Sequence, residues 1–214
     1  MTIESVLQNY MKAIRAGDRT AAIGAVQQAQ AAGHDFRTVY LKVFQPALEE
    51  VGRLWQINVM SVAEEHLATA ITQFAMLSLY QSVTTTSAKE ERSLIAACAE
   101  TERHDLGLRM VCDFLELEGW RTWYLGSAVP IDSLVGLARA RKPNAIALSA
   151  SLSSHIADLK HVIAELKALK HAPFVLVGGR PFTRDASLAD LIGADATAPD
   201  AGTAVDVLKE RFPA

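Results

Sequence analysis

The sequence predicts an α/β protein with an all-α N-terminal part, in which a four-helix bundle is followed by a five-stranded parallel sheet. Three observations carry this. Apolar residues recur at helical spacing from Ile3 to about Val83, the stretch after it is polar without any apolar period, and beyond Arg92 short apolar runs alternate with helical segments. The expected division is 1–85 for the bundle, 86–92 for a linker and 93–214 for the α/β part.

The helices follow in order. Ile3, Val6, Leu7, Tyr10, Met11 and Ile14 share one helical face, and Gly17 stops it. Asp18 can cap a second helix running to about Ala32, ended by Gly33, and Asp35 can cap a third that passes through Tyr40, Phe44 and Val51 to Trp55. Pro46 lies inside the third and is expected to bend it. Ser61-Val62-Ala63-Glu64 is a capping box that opens the fourth helix, continuing through Leu67, Ile71, Phe74, Leu77 and Leu79. Four helices with short connections make a bundle.

Beyond the linker, strands are expected at 93–98, 121–125, 144–149, 173–177 and 194–197. Helices are expected near 105–118, 131–141, 153–169, 184–190 and 200–211. Alternation of this kind implies parallel strands with right-handed crossovers, a flavodoxin-like (Rossmann-like) arrangement. Gly119 ends the first helix of this half, Pro130 suits a first helical turn, and Asp200 can start the last helix.

Bulk properties exclude several classes. A chain of 214 residues that is 50% hydrophobic can bury a sizeable core, and a formal net charge of -3 with no basic run does not suit a general grip on nucleic acid. Cys98 and Cys112 fall in a predicted strand and a predicted helix and read as small core residues rather than a disulfide framework. The N-terminus has neither the basic start nor the apolar block of a signal peptide, and no stretch is apolar enough to span a membrane, so a cytoplasmic protein is expected.

The candidate chemistry lies at the carboxyl ends of strands, where open α/β sheets bind ligands. His104 follows the first strand within Glu102-Arg103-His104-Asp105-Leu106-Gly107; imidazole is a common metal ligand, and an acid two residues away could hold its second nitrogen. Ser149-Ala150-Ser151-Leu152-Ser153-Ser154 follows the third strand and Gly178-Gly179 the fourth. Hydroxyls also suit a helix cap and paired glycines a tight turn. In the bundle, Trp55 stands ten positions before Glu65-His66, and the hairpin Gln56 to Met60 brings them to one end. An aromatic, a carboxylate and an imidazole could roof a flat ligand there; Trp55 could equally be core, and Glu65 could answer to the helix dipole.

Taken together, Glu102-x-His104-x-x-Gly107, Ser149 forty-five positions after the histidine, and Gly178-Gly179 are similar to the cobalamin-binding module of methionine synthase, corrinoid methyltransferases and B12-dependent mutases. That module carries Asp-x-His-x-x-Gly, Ser-x-Leu and Gly-Gly. Tyr124-Leu125-Gly126 before Pro130, and Gly193-Ala194-Asp195 before Ala198-Pro199-Asp200-Ala201, look like it as well. The resemblance implies cobalamin as cofactor, with His104 as lower axial ligand to cobalt, Glu102 orienting it, and Asp105 and Gly107 in the same loop. It also implies that Ser149 and Ser151 contact the buried nucleotide tail, and that Gly178 and Gly179 make room for it. Glu102 stands where the family has Asp, and Ser151 where it has Leu.

The bundle resembles the cap of B12-dependent photoreceptors among the MerR-type light regulators, through Trp55, Glu65 and His66. There these residues lie by the upper face that holds adenosine. Gln56 stands where those proteins carry a second histidine, and no DNA-binding helix-turn-helix precedes the bundle, so no direct DNA binding is expected. The resemblance implies a stand-alone cobalamin-binding light sensor, with adenosylcobalamin rather than methylcobalamin or hydroxocobalamin above the ring. Such a sensor would signal through a regulatory protein partner or a change of homo-oligomer. The alternative is a corrinoid carrier that shuttles a methyl group between methyltransferase subunits; an enzyme acting alone fits least.

Overall fold

In a computed structural model the structure describes residues 1–82, 92–100 and 102–213. The chain divides into two compact units, Met1–Thr84 and Thr85–Ala214. Of the expected linker, residues 86–91 lie outside the described residues, as does the expected helix end at Val83. Arg92 belongs to the second unit, where its guanidinium donates to the carbonyls of Phe212 and Glu118 and lies over the Trp120 ring.

The first unit comprises α1 (Ile3–Arg15), α2 (Arg19–Ala31), α3 (Phe36–Val39), a π turn (Tyr40–Phe44), α4 (Gln45–Gln56) and α5 (Val62–Ser82). Asp18 and Asp35 cap α2 and α3 as the sequence predicts, through Ala21 and Thr38 N–H groups. The Ser61 capping box also forms, with Glu64 accepting from Ser61 N at 2.8 Å. Pro46 has a different effect from the expected simple bend. It cannot donate to the carbonyl of Lys42, and its ring would collide with that carbonyl in an α-turn. The helix instead widens just before it, and Gln45 N–H reaches back five residues to Tyr40 O. Tyr10, Phe36, Tyr40 and Phe44 pack ring against ring, and the Tyr10 hydroxyl donates to Thr72 at 3.0 Å inside this core. α5 buries Ala68, Ile71, Ala75, Met76 and Leu79 but leaves Leu67, Phe74 and Leu77 about half exposed.

The second unit contains β1 (Ser93–Cys98), α6 (Leu106–Leu117), β2 (Arg121–Gly126), α7 (Ile131–Arg141), β3 (Ala145–Ser149), α8 (Ile156–Lys167), β4 (Phe174–Gly178), α9 (Arg180–Arg184), α10 (Ser187–Leu191), β5 (Ala196–Ala198) and α11 (Ala201–Arg211). The strands are parallel in the order β2-β1-β3-β4-β5. Ile95, Ala97, Ile146, Leu148, Val175 and Val177 face a core shared with α7, α8 and α10, and the alternate residues face the side where α6 and α11 pack together. In place of one helix at 184–190 there are two short ones, α9 and α10, because Pro181 lets a turn start directly after Gly179 and Asp185 is extended, its carboxylate accepting from Ser187 N; the helix expected from 153 opens with a 3-10 turn before α8. The last strand starts later than expected, at Ala196, and the Asp195 carboxylate accepts from Val175 N.

This order places the site. The chain leaves β1 for β2 on one side, then crosses to β3 on the other, so the carboxyl ends of β1 and β3 flank a topological switch point. In register, Cys98 pairs with Ser149 and Ser149 with Gly178, which sets the His104 loop, the serine-rich loop and the glycine pair at one edge.

Candidate functional site

Of the predicted site residues, Trp55, Gln56, Glu65 and His66 lie in the first unit and the rest in the second. At the end of the second unit's β1, Ala99 N–H donates to Ser149 O at 3.0 Å and Glu102 N–H to Ala99 O at 2.8 Å, which turns the chain and drives the Glu102 side chain inward. The whole residue is buried. Its Oε1 accepts from Arg103 N at 2.8 Å, His104 N at 2.9 Å and His104 Nδ1 at 2.5 Å. Its Oε2 accepts from Ser151 N at 2.5 Å and His155 Nδ1 at 3.1 Å.

Burial on its own would raise the Glu102 pKa, but the hydrogen bonds from His104 and from the His104 and Ser151 backbones outweigh it and hold the carboxyl well below the usual carboxylate range. With the carboxylate ionised, His104 donates from Nδ1, the tautomer that carries the ring's lone pair on Nε2. The His104 side chain is 54% exposed. The residues present therefore fit a metal-centred cofactor approaching from outside the loop. Gly107 fits too, since a Cβ there would meet nothing within 4 Å. At the far end of the edge, Thr197 Oγ1 is buried without a hydrogen-bond partner among the described residues, in the strand position opposite Val177.

Asp105 sits at the N-terminus of α6 without a side-chain capping bond, beside Gly126, whose positive φ of 71° spares a Cβ that would stand 3.2 Å from its Oδ2. Cys98, in the strand floor, has its thiol pushed up to about 12 by burial and then by the Asp105 and Glu102 charges, which makes it an inert core thiol, as read from sequence. Both cysteines are free and buried.

At two of the predicted positions the structure shows contacts within the protein. The missing side chain at Gly179 makes room for the protein itself: a Cβ there would lie 2.0 Å from Ala150 O, and φ is 102°. Gly178 is similarly close-packed, with a Cβ position 3.3 Å from Ala198 O. The paired glycines thus close the edge between β3, β4 and β5 on backbone contacts. Ser151, expected to act by its side chain, gives its backbone N–H to Glu102. His155 was missed. It follows the serine cluster in a short 3-10 turn (Ser153–His155), and an imidazole in the first turn after a central strand was the available signal.

In the first unit, Asn58 in the left-handed conformation and the bonds from Val59 and Met60 N–H to Leu54 O reverse the chain between α4 and α5. Trp55 and Gln56 at the end of α4 therefore share one end of the unit with Glu65 and His66. Their partners are local. Glu65 accepts from Thr69 Oγ1 at 2.9 Å and lies 3.5 Å from His66 Nε2, while Trp55 is 38% exposed and the His66 side chain 73%.

A parallel α/β unit with a histidine loop at its switch point, preceded by a helical unit, defines a class of cofactor-binding protein. Profiles described as B12 binding domains match residues 92–209 and, in the helical unit, 6–80. The chain belongs to the B12-binding domain family, and cobalamin is its ligand. It is 28% identical to dimethylamine corrinoid protein 1 of Methanosarcina acetivorans over 98% of this chain and 99% of that protein. It is 27% identical to trimethylamine corrinoid protein 1 of the same organism over 90% of each. The HTH-type transcriptional repressor CarH of Myxococcus xanthus is 30% identical over 64% of this chain and 46% of its own length. The Methanosarcina barkeri monomethylamine corrinoid protein shares the fold, with a TM-score of 0.85, 21% identity and coverage of 99% and 100% of the two chains.

Proposed function

We propose that the protein is a corrinoid carrier that holds a methyl group on cobalamin and exchanges it with methyltransferase partners. The observation that carries this reading is the end-to-end similarity to a dimethylamine corrinoid protein, over 98% of this chain and 99% of that one. The cofactor supplies a cobalt centre able to accept and release a methyl group. The chain's residues do the rest. His104 offers Nε2 as lower ligand, Glu102 fixes its Nδ1–H tautomer, and Gly107 leaves space at the loop. Ser149 lies at the same edge, where the nucleotide tail is held. Trp55, Gln56, Glu65 and His66 form the upper-face set, and the partner is a methyltransferase rather than a regulatory protein.

Trp55 with Glu65-His66, together with the similarity to CarH, supports a second reading as a light sensor holding adenosylcobalamin. One experiment separates the two. The protein loaded with methylcobalamin, and separately with adenosylcobalamin, is followed by absorbance and size in darkness and after visible light, then offered a thiol acceptor with a corrinoid methyltransferase. Methyl transfer without a light-driven change in size supports the carrier. A light-driven change in assembly without transfer overturns it in favour of the sensor. In either case H104A should lose the spectral signature of imidazole ligation, and an unchanged spectrum would remove His104 from the lower position.

A further inference from the structure

α5 carries apolar residues on both of its sides. Ala68, Ile71, Ala75, Met76 and Leu79 are buried in the helical unit, whereas Leu67, Phe74 and Leu77 on the opposite side are 49%, 50% and 46% exposed. A helix that is apolar all round is normally covered on both sides. The outer residues also keep a strict spacing. Ala63, Leu67, Ala70, Phe74 and Leu77 follow one another at alternating steps of four and three, which is the seam of a helix that pairs with another. Turned end for end about Ala70, this seam complements itself: Leu77 meets Ala63, Phe74 meets Leu67, and Ala70 meets its own copy and lets the backbones approach. A parallel copy would instead set Phe74 on Phe74 and leave gaps between paired alanines. The flank beside the seam carries both signs of charge. Arg19 lies over the Phe74 ring at 5.0 Å, Leu67 leans against Gly17 at the start of α2, and Glu64 is within electrostatic reach of Arg15 on that same side. A two-fold axis that reverses α5 keeps these flanks together and brings the partner's Glu64 toward Arg19.

We propose that the outer face of α5 is a self-pairing surface on which a second copy of this chain docks antiparallel, with Ala70 at the two-fold axis, Leu67 against the partner's Phe74 and Ala63 against the partner's Leu77. Such a contact is isologous, so it closes at two copies and leaves no apolar seam open for a third. Antiparallel helices also oppose their dipoles favourably. From Ala63 to Leu77 the seam runs about 21 Å along the helix. That is short for a stable interface, which covers roughly 1,200 Å² or more, so the pair is weak and half-formed at about 10–100 μM protein. The proposal rests on neither reading of the function, because the seam uses none of Trp55, Gln56, Glu65 and His66.

The test uses the cobalamin-loaded full-length chain, kept in darkness so that no light-driven change in size enters. Sedimentation equilibrium on wild type should show a monomer–dimer equilibrium. L77E sets two carboxylates in the seam of each pair and should weaken association by about a hundredfold or more. L191E, at a 68% exposed leucine of the second unit, should leave association as in wild type. Geometry is read with A63C/L77C and a short bismaleimide linker. The two new thiols of one copy stand about 21 Å apart along the helix, beyond the linker's reach, and the native Cys98 and Cys112 are buried. Peptide mass spectrometry should therefore find position 63 joined to position 77 of the partner. The proposal is overturned if wild type stays monomeric up to about 500 μM, well above the range of a weak pair, if L77E associates as wild type does, or if the links join 63 to 63. A monomeric wild type whose methyl transfer is lost in L77E would overturn it in favour of a methyltransferase seated on this face. Should L77E not fold, the linkage decides: 63 to 77 supports the proposal, and 63 to 63 or no linkage overturns it.

Discussion

The sheet unit and the helical unit present their candidate residues in opposite ways. In the sheet unit, a fully buried glutamate is bonded by donors from two loops and settles the tautomer of an adjacent histidine. In the helical unit, Glu65 bonds to a threonine one turn away, and Trp55, Gln56 and His66 face outward. The geometry around His104 is thus fixed by the fold of its own unit, whereas Trp55, Gln56 and His66 keep the rotamer freedom of exposed side chains.

The contrast can be broken most forcefully at Gly179. Gly179→Ala places a Cβ 2.0 Å from the Ala150 carbonyl oxygen in a backbone conformation reserved for glycine, and should cost about 4 kcal/mol or prevent folding, read by urea denaturation. A variant as stable as wild type would show that the edge is not closed by backbone contact. Next come matched carboxylate-to-amide changes. Glu102→Gln should cost about 3 kcal/mol, because an amide N–H then faces converging donors in the interior, while Glu65→Gln should cost less than about 0.5 kcal/mol. Similar losses at both positions would erase the difference between the two units.

The Glu102 loss also depends on pH with a definite sign. Its folded-state pKa is lowered, so its contribution is complete above the unfolded value of about 4.3 and is lost as pH falls from there toward the folded value. The stability gap between wild type and Glu102→Gln should therefore narrow as pH falls below about 4.3. A gap that widens below that value would mean the carboxyl is protonated in the folded protein. The smallest effect is the sharpest in sign. Gly107→Ala, near the start of α6 where a Cβ meets open space, should stabilise the cobalamin-free chain by about 0.5 kcal/mol and at the same time weaken cobalamin binding in a spectral titration. Unchanged affinity would place the ligand away from that loop.

Much of this was legible in the sequence because it is written locally. Caps at Asp18, Asp35, Ser61 and Asp200, stops at Gly17, Gly33 and Gly119, and the alternation of runs beyond Arg92 each act within a few residues, and the elements they bound form close to where they put them, the segment from Arg180 to Ala198 excepted. The His104 loop was legible as a motif with an acid at the right distance. The five-donor role of Glu102 was not, because Ser151 and His155 reach it only after β3 has crossed to the other side of β1. The backbone contact of Gly179 was hidden for a related reason. A missing side chain looks the same in a sequence whether it admits a ligand or a neighbouring carbonyl, and only the register of β3 against β4 tells which.

The π turn at Tyr40–Phe44 has a consequence for the end of α4. An α-helix advances about 100° per residue, so a turn that holds one residue more than the α pitch resets the phase of everything after it. Pro46 keeps that turn from relaxing, because a regular α-helix through this point would need the N–H that proline lacks. The direction in which Trp55 and Gln56 leave the helix, relative to the aromatic core at Phe36 and Tyr40, is therefore indexed by an extra residue three turns upstream. The helix works as a dial whose setting was chosen far from the pointer.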